Sequence, residues 1–185
     1  MIVCLQVFLM KLMIFGKPGS GKSSFAYQLA KMHGYPLYHL DKYFFMQNWQ
    51  ARPKAEFLAD QRLLVANDAW IIDGNAIDSL EMRWREADAV MYFNYSFWRC
   101  FFGIILRRFR GPVVQVDDRA RLCPEQISWR LLEYLWHFEY YVDPVIAKLR
   151  LRYPNVPFFE ICRDRDWQGF LQKDGLYGIG KKSSD

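Results

Sequence analysis

Short apolar runs alternate along this chain with longer stretches whose apolar residues recur at helical spacing. KLMIF (11–15) is followed by a helical pattern over Lys22–His33, PLYHL (36–40) by one over Lys54–Asn67, and WIID (70–73) by a shorter one near Ser79–Glu86. ADAVMYF (87–93) leads into a helix over about Ser96–Arg110 and a polar loop. One long helix over about Pro124–Leu151, the strand VPFFEIC (156–162) and a short helix after Arg165 complete the pattern. Five short strands of nearly continuous apolar character, each separated by helix, predict a parallel sheet covered on both faces, a three-layer α/β/α domain. Residues 1–185 read as a single domain, with residues 174–185 as a flexible tail. MIVCLQVFL (1–9) lacks a basic leading segment and does not read as a cleavable signal. Met10 is the expected start, with 1–9 an N-terminal extension or a lengthening of the first strand.

Composition narrows the class. A chain of 185 residues can bury a substantial core without disulfides or metals. Although 52% of residues are hydrophobic, no apolar run is long enough to span a bilayer, so no membrane association is expected. Cys4, Cys100, Cys123 and Cys162 are scattered without ligand spacing, which predicts neither a zinc site nor a disulfide framework and suits a reducing cytoplasm. The net charge of +5 and pI near 9.0 favour anionic ligands, and the excess is small enough to belong to a phosphate-binding cleft.

The strongest motif is Gly16-Lys17-Pro18-Gly19-Ser20-Gly21-Lys22-Ser23, which fits GxxxxGK[ST] between a buried strand and an amphipathic helix. Glycines at 16, 19 and 21 let successive main-chain N–H groups face an anion, and the helix start adds partial positive charge there. Pro18, Ser20 and Ser24 complete the phosphate-binding set. Lys22 is expected on the β- and γ-phosphates of ATP, and the Ser23 hydroxyl on Mg²⁺.

Two carboxylates are expected at the same sheet edge. Asp73 closes Trp70-Ile71-Ile72 and suits a second Mg²⁺ contact, the alternative being a turn residue before Gly74. Asp41, in HLDKYF, is expected at the end of the second strand, where it could accept a proton from an acceptor hydroxyl or help hold the metal. Its alternative is a helix-capping or turn aspartate. Arg107 and Arg108, with Arg119 and Arg121 beyond Gly111-Pro112, suit a lid over residues 111–122 that stabilises charge on the transferred group; solvated surface arginines are the alternative. Arg83 could bind an anionic group of the acceptor, Asn75 could orient it, and Trp49 lies in an aromatic stretch expected to cover it. Arg163 could stack on a nucleotide base, with Asp164 as a helix cap the plainer reading. Trp129, Tyr134, Trp136, Phe138, Tyr140 and Tyr141 read mostly as packing, and His33, His39 and His137 show no ligand spacing.

These residues resemble the P-loop small-molecule kinases related to adenylate kinase, and within them the FlaR-type proteins labelled DNA topology modulation proteins. GKPGSGKS, YHLDKYF, WIIDGN, FWRCFFGIILRRFRG and CPEQISWRLLEYLWHF carry the likeness, over about Met10–Trp167. The phosphate loop is shared by many families, while HLDKYF together with WIIDGN is much more specific. The chain departs from that group at Phe44-Phe45, at Ser24 in place of the usual threonine, and in its first nine residues. The resemblance implies a sheet of order 2-3-1-4-5, ATP with Mg²⁺ and a small helical lid, and it names no acceptor.

A kinase moving the γ-phosphoryl of ATP to a small hydroxylated acceptor fits this set, as a monomer or homodimer. An ATP-binding, nucleic-acid-associated protein that modulates DNA topology is the alternative, weakened because no long Lys/Arg stripe is visible. A GTP-dependent switch ranks last, since no NKxD segment is present.

Overall fold

The structure, a computed structural model, describes residues 10–44, 50–110 and 128–171. The expected lid over 111–122, the 174–185 tail, the 1–9 extension and the positions of Trp49, Arg119 and Arg121 lie outside those residues. The elements run β1 (Lys11–Gly16), α1 (Lys22–His33), β2 (Leu37–His39), α2 (Leu40–Phe44), α3 (Lys54–Val65), β3 (Trp70–Asp73), α4 (Leu80–Glu86), β4 (Ala89–Phe93), α5 (Phe97–Arg110), α6 (Trp129–Trp136), α7 (Phe138–Arg152), β5 (Phe158–Ile161) and α8 (Arg165–Gln168). The five strands form one parallel sheet in the order β2-β3-β1-β4-β5, the predicted topology.

Strand alternation divides the core. Leu12 and Ile14 of β1 pack on one face with Phe25 and Leu29 of α1 and Cys100 and Ile104 of α5. Met13 and Phe15 pack on the other with Phe57 of α3, Trp84 of α4 and Phe138 and Val142 of α7. The inner strands β1, β3 and β4 are buried almost throughout, which is why their sequences read as runs and do not alternate, while the edge strands β2 and β5 are only partly covered and Glu160 of β5 is exposed.

Two expectations are corrected. The single helix over 124–151 is two helices, broken at His137. Leu135 of α6 belongs to the first core and Phe138 of α7 to the second, while Tyr134 of α6 already packs against the second, so the break lies where the chain passes from one core to the other. The second strand ends at His39, not Leu40, because His39 pairs with Asp73, the last residue of β3, and nothing further continues the ladder. Asp41 therefore sits in the first turn of α2.

Candidate phosphoryl-transfer site

The crossover between β1 and α1 builds the phosphate loop. Gly21 precedes α1 with φ 88°, offers no capping side chain, and no acid stands in the first turn of α1. The first-turn N–H groups thus face outward from a helix start without a negative side chain of the helix beside them, the arrangement an anion completes. Among the described residues the buried Ser20 Oγ has no hydrogen-bond partner. The loop is clamped from behind by α5: a Cβ on Gly19 would collide with the Cys100 carbonyl oxygen, and one on Gly103 with the Gly19 carbonyl oxygen. Lys17 N donates to Phe93 O (3.0 Å), and Lys17 Nζ, almost fully buried, donates to Tyr95 O (2.9 Å) and Glu139 Oε1 (2.6 Å). The second residue of the loop so ties it to the end of β4 and to α7.

Asp73 is buried at the adjacent strand end. Its Oδ2 lies 3.0 Å from His39 Nδ1, while Oδ1 makes no close hydrogen bond among the described residues. Burial alone would raise its pKa, but the His39 hydrogen bond, the Lys22 charge and the nearby Ser23 hydroxyl outweigh that and hold it below the usual carboxylate range. The carboxylate is therefore ionised, accepts only, and receives the Nδ1 proton of His39. The structure brings Lys22, Ser23 and Asp73 close together. Their chemistry suits Mg²⁺: Ser23 Oγ and Asp73 Oδ1 are hard oxygen donors beside a phosphate cradle. Among the described residues no group of three or more His, Cys, Asp and Glu could cage a metal.

Asn75 Oδ1 accepts from Gly16 N (2.9 Å), and its side chain also hydrogen-bonds Tyr134 of α6. Burial, partly offset by that bond, pushes the Tyr134 hydroxyl up to about 12, and the charge of the exposed Asp41 adds to the rise. Asp41, Asn75 and Tyr134 thus flank the loop on one side.

Arg83 is placed differently from its expected role. Helical spacing turns Leu80, Arg83 and Trp84 of α4 inward, and Arg83 is fully buried, donating to Gly74 O (2.8 Å) and Ala76 O (2.9 Å). Burial brings its guanidinium down to about 9, opposed by the Asp73 charge. Two of its three nitrogens hold the loop after β3, so it shapes the site from beneath.

Arg107 and Arg108 lie exposed near the end of α5. Arg163 is exposed after β5, its Nε 3.6 Å from Asp166 Oδ1. The turn there is capped by Asp166, which accepts from Cys162 N (3.0 Å) and Arg163 N (2.8 Å). Asp164, the cap in the alternative reading, accepts from Tyr95 Oη (2.7 Å).

Sequence reasoning missed His39, Lys17, Glu139 and Tyr134. His39 was legible in principle: once β2 neighbours β3 in parallel, His39 and Asp73 are register partners whose side chains share a face. The Lys17–Glu139 pair spans 122 positions and left no local signal.

No protein-family model matches the chain, and no curated protein sequence matches it. Among solved structures it is similar to shikimate kinase from Acinetobacter baumannii in complex with shikimate, with TM-score 0.60 and 14% identity over 95% of this chain and 96% of that one. A sugar kinase from Janibacter sp. HTCC2649 is looser at TM-score 0.49, with 14% identity over 91% of this chain and 93% of that one. So is deoxyadenosine kinase from M. mycoides with bound dATP, at 0.40 and 16% identity over 82% and 90%. The match to the first shows the fold: this is a P-loop kinase fold.

Proposed function

We propose that the protein is an ATP-dependent phosphotransferase that moves the γ-phosphoryl group to the hydroxyl of a small acceptor, in the group that the HLDKYF and WIIDGN segments resemble. The observation that carries this reading is the buried, ionised Asp73, set against Lys22 and Ser23 at the open start of α1. A binding loop alone does not require a second carboxylate there.

The main-chain N–H groups from Gly19 to Ser24 hold the phosphates, and Lys22 neutralises charge on the β- and γ-groups. Mg²⁺, held by Ser23 and Asp73, would supply charge neutralisation across the phosphate oxygens. Asp41 takes the proton of the acceptor hydroxyl as its oxygen bonds to the γ-phosphorus, and the bond to the β–γ bridging oxygen breaks, releasing ADP. Asn75 orients the acceptor, Trp49 covers it, and Arg107, Arg108, Arg119 and Arg121 stabilise charge on the equatorial oxygens. Arg163 stacks on the base. Arg83 holds the Gly74–Ala76 turn that presents Asn75.

ADP release measured across nucleosides, nucleotides, sugars and other hydroxylated metabolites tests this. One class should stimulate release, and Asp41→Asn should lower that turnover about 10²- to 10⁴-fold while ATP affinity is retained. Undiminished turnover in Asp41→Asn would remove Asp41 from the chemistry. Failure of every acceptor would reduce the assignment to ATP binding.

A further inference from the structure

We infer that His39 is a positioning residue for the metal–nucleotide: its Nδ1–H fixes Asp73 Oδ2 and so presents Oδ1 toward Ser23 and the phosphates. This rests on the proposed Mg²⁺–ATP reading and deepens it. His39 and Asp73 are register partners at the last rung of the β2–β3 ladder, with side chains 8% and 4% exposed and Nδ1 3.0 Å from Oδ2. A carboxylate without such a partner turns about its last torsion with little restraint, because that torsion has broad wells. With Oδ2 engaged the rotation is set, and the oxygen left over makes no close hydrogen bond among the described residues, in a carboxyl beside the Ser23 hydroxyl. An imidazole N–H does this without placing the permanent charge of a lysine or arginine against the metal.

Partners that orient a ligating carboxylate typically contribute a factor of about 10 to 100 in metal affinity. The test is Mn²⁺ binding, followed by electron paramagnetic resonance, to the full chain saturated with a non-hydrolysable ATP analogue. Analogue affinity without metal is measured in parallel. His39→Ala should weaken Mn²⁺ by about 10- to 100-fold with metal-free analogue affinity unchanged. His39→Asn, whose amide N–H can occupy the place of Nδ1–H, should restore most of the loss, and His39→Phe should not. Asp73→Asn separates the two levels of the account. If Asp73→Asn weakens Mn²⁺ and His39→Ala does not, the role given to His39 is wrong while the metal reading stands. If Asp73→Asn leaves Mn²⁺ unchanged, the metal reading falls and the inference with it. Equal loss of metal-free analogue binding in His39→Ala, with no recovery in His39→Asn, would make His39 a residue of the fold only.

Discussion

At the scale of single residues, the site depends on charges placed where water is largely excluded. The Lys22 charge, beside an open helix start, helps keep the buried Asp73 carboxylate ionised. Lys22→Ala removes the cation from the phosphates and should lower kcat/KM for ATP by about two to three orders of magnitude, the range found when one preorganised donor is lost. Thermal unfolding should show the variant still folded, because Lys22 is only partly buried and belongs to no core cluster. An unaltered kcat/KM would mean that the phosphates bind elsewhere. Lys22, Ser23 and Asp73 were legible because each ends or begins an element with a clear apolar pattern. Arg83 was not, since an arginine on a short helix gives no sign in sequence of whether it faces solvent or the underside of a loop.

Elements set the geometry that those residues need. The start of α1 is held in place from behind by α5, with Gly103 against the Gly19 carbonyl and Cys100 against Gly19. Gly103→Ala inserts a methyl group where the main chains already touch. It should destabilise the fold by about 1–3 kcal/mol by denaturant titration and weaken ATP binding at the same time. Loss of stability without any change in ATP affinity would show that the loop does not depend on α5. This contact was invisible in the sequence, where glycine at 103 lies in the middle of a helical pattern and reads only as a weak point. The break between α6 and α7 was equally hidden. His137 is neither proline nor glycine, and the break lies where the chain passes from the core of Leu135 to that of Phe138, a passage that local composition does not mark. By contrast β1, β3 and α1 were readable nearly to the residue, since buried parallel strands and a glycine-bounded helix are marked by local composition.

For the molecule as a whole, the doubly covered sheet brings the carboxyl ends of β1, β2 and β3 to one edge, and that convergence makes a binding loop into a candidate transfer site. Charge is a secondary matter at this scale. A net charge of +5 with a phosphate cleft predicts weak duplex DNA binding, because several phosphate contacts would be needed to give steep salt dependence. Steep weakening with ionic strength in a duplex-binding titration would indicate an extended nucleic-acid surface. Sheet order came from family resemblance and not from spacing, and the structure carries that order. The acceptor was not legible at any scale, because on the proposed reading what would select it is side-chain shape around Asp41, Asn75 and Tyr134, on which periodicity is silent. The most direct test of phosphoryl transfer follows the label of γ-³²P-ATP in the presence of Mg²⁺ and mixed hydroxylated metabolites, with and without duplex DNA. The label should appear in a small organic phosphate, independently of DNA and lost in Asp41→Asn. Label recovered only as inorganic phosphate, and only when DNA is present, would contradict it.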